Sequence, residues 1–391
     1  MQDSGTTRTL IINDPKVRGL VYQVATLIVI VGLGVYFVLN ARANLENQRI
    51  ATGFGFLENT AGFGVNQTLI PYQESDTYGR VFLVGLLNTL LVAGLGIVFA
   101  TAIGFVMGIA RLSSNWLIAR LATVYVEVLR NQPLLFQILF WYLAVLGALP
   151  PPRQAISIGG EIFLSTRGVA LPRPEFGPGS GVVVAAFVIG ILVTLLLRAY
   201  AKRRQAVTGA QFPLGWSALA LVVGLPLVVM VVMGFPIGID HPRLRGFNFT
   251  GGMVMIPEFA ALLIALSTYT GAFIAEIVRS GIQAVSRGQT EAAYSLGLRP
   301  GRALRLIIIP QALRVIIPPL TSQYLNLTKN SSLAVGIGYP DLFAVFAGTT
   351  LNQTGQAIEI LAITMAVYLL ISLITSALMN WYNARIALVE R

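Results

Sequence analysis

Cysteine is absent from this chain, and histidine occurs once, as His241. The first absence removes disulfides, thiolate nucleophiles and Cys-ligated metals together. The second leaves no multi-histidine metal centre, and a lone loop histidine reads as a solvated side chain. Lysine is nearly as scarce. Only Lys16, Lys202 and Lys329 occur, and none closes a G-x-x-x-x-G-K-[ST] phosphate loop. The zinc-protease pattern H-E-x-x-H is missing too. Charge as a whole is low, at 11% of residues, against about a quarter in a soluble domain. No catalytic group, metal or cofactor is expected on the chain itself.

Apolar length is what the chain has instead. Of its 391 residues 55% are hydrophobic, and the mean hydropathy is +0.75. About 20 apolar residues cross a bilayer as a helix. Runs near 19–39, 82–108, 121–147, 181–197, 214–235, 257–278, 318–337 and 359–381 predict eight spans in an all-α integral membrane protein. The first run is too long for the apolar part of a signal peptide. Asn40-Ala41-Arg42 also makes a poor cleavage site, so this run reads as a retained anchor.

A net charge of +11 suggests nucleic acid until the basic residues are placed. With a cytoplasmic N-terminus, 17 of them fall on the cytoplasmic side, Arg8 and Arg391 included. Only 8 fall outside, Arg49 among them. That is the bias of the positive-inside rule. The basicity is read as topology, with both termini cytoplasmic and no nucleic-acid partner.

Organisation follows composition. Residues 1–79 form an N-terminal anchor helix and outer loop, 80–148 a first core segment, and 149–256 an insertion. The insertion holds Pro/Gly-rich outer loops and two plain apolar helices. Residues 257–391 complete the core, with a cytoplasmic loop at 280–314. Polar groups inside a membrane tend to line cavities or helix contacts. The candidates for a path or a buried polar network are Glu127, Arg130, Gln132, Gln137, Thr268, Thr270, Glu276, Gln323, Asn326, Lys329 and Asn330. Pairing with Glu276 or Glu127 is preferred for Lys329 over a place on the path. Pro133 is expected to kink the third span, freeing carbonyls either for substrate or for Gln132 or Gln137. Pro310, Pro318 and Pro319 mark either a broken helix near a site or a simple bend. Ser267, Thr268, Thr270 and Asn88 read first as packing groups.

The stretch EAAYSLGLRPGRALRLIIIP, residues 291–310, carries three arginines and no chemistry. Thr290 is a plausible N-cap, Gly297 a left-handed stop, and Pro300 the first turn of a second helix. The first helix is then about seven residues, roughly 10 Å. Ala292 and Ala293 keep it thin, and Tyr294 and Leu296 are its contact groups. It has the shape of a mechanical part that fills a groove on another protein.

Glu291-Ala292-Ala293, Gly297 and the ending Ile307–Pro310 resemble the EAA loop of importer-type ABC transporter permeases, with I-x-I-P in place of the usual I-x-L-P. The stretches YVEVLRNQPLL (125–135), FIAEIVRSGIQ (273–283) and KNSSL (329–333) resemble the polar amino-acid uptake branch. The extra first helix and TYGRVFLVGLLNTL (77–90) are similar to the larger permease of general L-amino-acid or glutamate/glutamine/aspartate importers. The resemblance implies a five-helix type I importer core with one N-terminal and two inserted accessory helices, in the bacterial inner membrane. It implies that Gly288, Glu291, Ala292, Ala293, Gly297 and Arg299 couple to an ATPase subunit. Further implied are two ATP-binding subunits carrying the ATP-Mg, a sister permease and a periplasmic amino-acid-binding protein. The alternative is an ion-coupled secondary carrier. That reading calls for an inverted repeat, of which none is evident, and for carboxylates free to bind ions. Glu127 and Glu276 instead have Arg130 and Arg279 at i+3.

Overall fold

The computed structural model describes residues 15–47 and 52–386. Arg8, Arg49 and Arg391, which enter the charge asymmetry, lie outside the described residues. Thirteen helices follow in order among those described. They are α1 (Pro15–Asn47), α2 (Tyr78–Ala110), α3 (Trp116–Arg130), α4 (Leu134–Leu139), α5 (Ser180–Thr208), α6 (Leu214–Leu219), α7 (Leu225–Val232), α8 (Pro257–Gln283), α9 (Arg287–Ser295), α10 (Pro300–Ala303), α11 (Ile309–Asn330), α12 (Leu351–Thr354) and α13 (Ala357–Ile386). Wide π-type turns at Phe140–Leu146, Ala220–Gly224, Leu304–Ile308 and Phe343–Thr350 continue or join several of them. Lipid offers no partner for a bare peptide group, and helices meet that demand within each segment.

Among the described residues, seven helical stretches are long and apolar enough to cross a membrane, and Leu134–Leu146 is a shorter apolar helix. One expectation is met here and another changes. The third span breaks where Pro133 falls. It stops at Arg130 and restarts at Leu134, because Pro133 has no N–H to donate backward. The seventh starts well before residue 318: Pro300–Ile337 is continuous over 38 residues. Pro318 and Pro319 lie inside α11 without ending it, and the wide turn at Leu304–Ile308 comes immediately before Ile309 and Pro310.

The chain divides into two compact units. One comprises residues 1–87 and 342–371. Its core gathers Phe56, Ala61, Tyr78, Val81, Leu342, Val345, Phe346, Ala347 and Ile360. In the run Gly53–Phe56, Phe56 is buried, with ring centroids 6.3 Å from Tyr78 and 6.2 Å from Phe346, while Phe54 is exposed. The Gly53 N–H donates to Glu359 Oε1 at 2.7 Å, and the Tyr72 hydroxyl to the Phe63 carbonyl at 2.6 Å.

The other unit comprises residues 88–341 and 372–391. Its central helix is α8, whose Ala260, Ala261, Leu262, Ala265, Leu266, Ala272, Ile274 and Val278 are all buried. Small residues let α2 approach it. A Cβ on Gly104 would stand 2.4 Å from Ile274 Cγ2, and one on Gly108 2.7 Å from the Ala275 carbonyl. This is close small-residue packing of the kind membranes favour. Asn88 donates to the Pro340 carbonyl at 2.9 Å, and the Tyr339 hydroxyl donates to the Asn88 carbonyl at 3.1 Å. Asn88 is thus a packing group, as its sequence context suggests.

The insertion holds α5, α6 and α7 packed on one another. A Cβ on Gly190 of α5 would meet the Leu221 carbonyl at 2.2 Å. Its loops carry β-structure that the composition did not announce. Strands β1 (Ile156–Ile158), β2 (Ile162–Ser165), β3 (Gly168–Leu171), β4 (Arg173–Phe176), β5 (Ile237–Asp240), β6 (Arg243–Arg245), β7 (Asn248–Thr250) and β8 (Met253–Met255) are short and antiparallel. They form a sheet in the order β1-β2-β3-β8 and the pairs β4-β5 and β6-β7. Phe163 and Phe249 stack at 4.8 Å. The fold remains predominantly helical.

If backbone approach is what α2 needs, Gly104→Val forces overpacking of about 1–3 kcal/mol. The melting temperature of the detergent-solubilised protein should drop. Gly94→Val on the same helix, where a Cβ meets nothing within 4 Å, should leave it nearly unchanged.

Candidate functional site

Helix α8 leads to α9 through three residues, and α9 leads back to α10 and α11. Ser286 has the extended conformation of an N-cap, with φ −59° and ψ 141°, so α9 begins at Arg287 rather than at Glu291. The expected cap at Thr290 is therefore replaced by one a turn earlier. Ser286 makes no side-chain cap bond, and the backbone alone closes the first turn: the Gln289 N–H bonds the Ser286 carbonyl at 3.1 Å. At nine residues the helix is about 14 Å long.

Its end is a Schellman motif. The Leu298 N–H bonds the Ala293 carbonyl at 3.2 Å and the Gly297 N–H bonds the Tyr294 carbonyl at 2.9 Å. This requires a left-handed residue, and Gly297 has φ +74°. Pro300 then opens α10. Ala293 is fully buried, whereas Tyr294 is 49% and Leu296 79% exposed. Gly288, Glu291, Ala292 and Arg299 are exposed as well. One small residue seats α9 on its own chain, and the rest of its surface is open. Gln311 of α11 donates to Gln289 of α9 at 3.1 Å, a second tie between them.

Before the loop, Glu276 and Arg279 of α8 join Arg111, Glu127 and Arg130 in a cluster of charges. The Glu276 carboxylate is bonded by Arg279, at 2.5 Å from Nη2, and by Arg111 in a shorter contact. Arg130 approaches it to 3.9 Å. Arg111 also reaches Glu127, at 3.8 Å. The i+3 pairing expected for Glu276 with Arg279 is present. The one expected for Glu127 with Arg130 is not: Arg130 turns to Glu276, and its guanidinium stands 5.1 Å from the Phe273 ring centroid. One carboxylate in contact with three guanidiniums leaves none to spare for Lys329. Among the described residues, Lys329 has no carboxylate within 4 Å, and it is exposed near the end of α11. The preferred scaffold pairing for Lys329 is thereby overturned.

A cavity of about 210 Å³ lies between α8 and α11, lined by Tyr269, Thr270, Phe273, Gln323, Asn326 and Asn330. Four of these were path candidates, namely Thr270, Gln323, Asn326 and Asn330. Its hydroxyls and amides both donate and accept, and no charged side chain is part of the wall. The remaining candidates sit elsewhere. Thr268 bonds back to the Ile264 carbonyl at 2.7 Å, and its own carbonyl accepts the Tyr125 hydroxyl at 2.7 Å. Gln137 is buried and donates to the Leu129 carbonyl at 2.8 Å, closing the break at Pro133. Of the two readings for those freed carbonyls, satisfaction by Gln137 holds, and Gln132 is exposed.

Residues 100–388 match the family described as the binding-protein-dependent transport system inner membrane component. The chain belongs to this family, and it is a multi-pass protein of the inner membrane. It is 55% identical, over 97% of its length and 94% of the relative's, to the general L-amino acid transport system permease protein AapQ of Rhizobium johnstonii. To the putative amino-acid ABC transporter permease protein YhdX of Escherichia coli it is 56% identical, over 97% and 96% of the two chains. To the glutamate/glutamine/aspartate/asparagine transport system permease protein BztB of Rhodobacter capsulatus the identity is 44%, over 99% and 98%. Among solved structures it resembles an amino acid ABC transporter at 23% identity and a TM-score of 0.46, covering 79% of this chain and 95% of that one.

The Glu276 group invites a double-mutant cycle. Arg111→Gln and Glu276→Gln should couple by about 0.5–3 kcal/mol in unfolding of the solubilised protein. Additive single effects would mean that the contact carries no energy.

Proposed function

We propose that the chain is the membrane-spanning permease subunit of an ATP-driven importer of polar L-amino acids, general or of the glutamate/glutamine/aspartate/asparagine kind. The observation that carries this reading is α9. It is a short helix, anchored by one buried alanine and stopped by a left-handed glycine, with its contact side chains exposed beside a rigid charge cluster. Gly288, Glu291, Ala292, Ala293, Gly297 and Arg299 form the part that couples to a separate ATPase. The ATP-Mg belongs to that partner, since the sequence holds no phosphate loop.

The assembly we infer has two ATP-binding subunits, this chain, a sister permease and a periplasmic amino-acid-binding protein. Both termini and α9 face the cytoplasm, as the placement of Arg and Lys favours. Residues 80–148 and 257–391 are the permease core, while 1–79 and 149–256 are elaborations. Closure of the ATPase pair moves α9, and α8 and α11 follow as its two stems. The cavity between those stems supports the assignment of Thr270, Gln323, Asn326 and Asn330 to the translocation path. Its uncharged amide and hydroxyl lining suits several polar side chains rather than one. Glu127, Arg130 and Glu276 hold the helices beside it in register.

Proteoliposomes containing the purified assembly should take up glutamine or glutamate only with ATP and the ATPase subunits present. Uptake driven by an ion gradient without those subunits would replace this reading with the secondary carrier. Gly297→Pro, which cannot adopt φ +74°, and Glu291→Lys should each lower uptake per ATP hydrolysed about tenfold or more, a loss of roughly 1.4 kcal/mol or more in coupling. Membrane insertion should be unaffected.

A further inference from the structure

A second surface of the molecule has no place in that cycle. Helix α5 outlasts the bilayer. Its 29 residues span about 43 Å, against roughly 30 Å of hydrocarbon. Its apolar part ends at Leu197. Arg198, Lys202, Arg203 and Arg204 then follow within seven residues, all exposed. At 100° per residue Arg198 and Lys202 share one side of the helix, while Arg203 and Arg204 point to two others, so the four form a collar rather than a single stripe.

Among the described residues nothing neutralises that collar. No acidic residue occurs between Glu175 and Asp240. Among the described residues, none of the four cations is within 4 Å of a carboxylate, whereas every guanidinium of the α8 cluster has one. The helix does not fray at this point. The Thr208 hydroxyl bonds the Arg204 carbonyl at 2.8 Å, and Gly209 stops the helix in the left-handed region at φ +72°. After a five-residue connection α6 begins, and its Trp216 is 78% exposed. Tyr200 is exposed on α5 itself. Aromatic side chains next to cations mark the headgroup level of a membrane. Clusters of four or more Lys/Arg beside a spanning helix suit anionic headgroups.

We propose that this collar, Arg198, Lys202, Arg203 and Arg204 with Tyr200 and Trp216, binds the phosphates of anionic phospholipids and fixes the α5–α7 hairpin in the bilayer. Its occupant is lipid rather than protein because the cations surround the helix instead of sharing a face. They also follow directly on the last apolar turn, where headgroup phosphates lie. This inference does not depend on what the permease carries.

The test uses the full assembly in nanodiscs of phosphatidylcholine with about 10% phosphatidylglycerol, and reads the phosphatidylglycerol retained after detergent extraction. The wild type should retain it several-fold above its share in the bilayer, and this enrichment should fall at least threefold between low salt and about 0.5 M salt. The quadruple variant Arg198→Gln, Lys202→Gln, Arg203→Gln, Arg204→Gln should lose the enrichment, and the triple variant Arg198→Lys, Arg203→Lys, Arg204→Lys, with Lys202 left in place, should keep it. Ala210→Cys, labelled from each side of the membrane, checks that the hairpin has not inverted. If it has, the salt titration of the wild type decides alone. No enrichment, enrichment indifferent to salt, or a Gln variant that keeps its lipid but loses the ATPase subunit would each overturn the proposal. The last result would make the collar a protein contact.

Discussion

A single carboxylate shared by three guanidiniums holds the working half of this molecule in register. Glu276 sits on α8, and its partners come from the end of α2, from α3 and from the next turn of α8 itself. Ion pairs of this kind add little when exposed, but a partly buried group that loses its partner is strongly penalised. Arg111 is the most buried of the three cations, with a side chain 11% exposed. The cluster therefore ties three helices together about two turns before the chain leaves α8 for α9. In the proposed cycle, motion imposed on α9 would arrive first at this tied point and be passed on as movement of whole helices.

The small residues serve the same end. Gly104 and Gly108 bring α2 against α8, and Gly281 brings α11 against it, since a Cβ there would stand 2.4 Å from Ile316 Cγ1. Helices in such contact have few intermediate arrangements. The polar cavity between α8 and α11 then lies between two elements that α9 joins at their ends. Its wall is made of groups that hydrogen-bond without charge, so the fixed charges stay in the cluster and out of the cavity.

Most of this plan is legible in the sequence because bilayer physics leaves few options. Apolar run length, the placement of Arg and Lys, and the pair Gly297 and Pro300 each have one ready structural meaning. What the sequence did not yield depends on partners distant in the chain. Glu127 and Arg130 have the spacing of a helical pair, yet Arg130 prefers Glu276, 146 positions further on in sequence, and no local rule forecasts that. Lys329 was expected to find a carboxylate that arginines already hold. Pro133 signalled a break, but only the fold shows Gln137 closing it. The helix α9 starts a turn before Glu291, the first residue of the EAA pattern, because the chain turns into it at Ser286, whose extended backbone leaves no sequence mark of its own. The β-strands of the insertion are three or four residues long and flanked by Gly and Pro, too brief for an alternating pattern to register.

The claim on which the rest stands is that α9 is gripped by a separate ATPase. Because the chain has no cysteine, Ala292→Cys supplies a unique thiol on the exposed side of that helix. Its reaction with a membrane-impermeant maleimide should be fast in inside-out vesicles holding the permease alone. Assembly with the ATPase subunit should slow it at least tenfold. A thiol that reacts from the opposite face, or equally fast with and without the ATPase, would contradict the account.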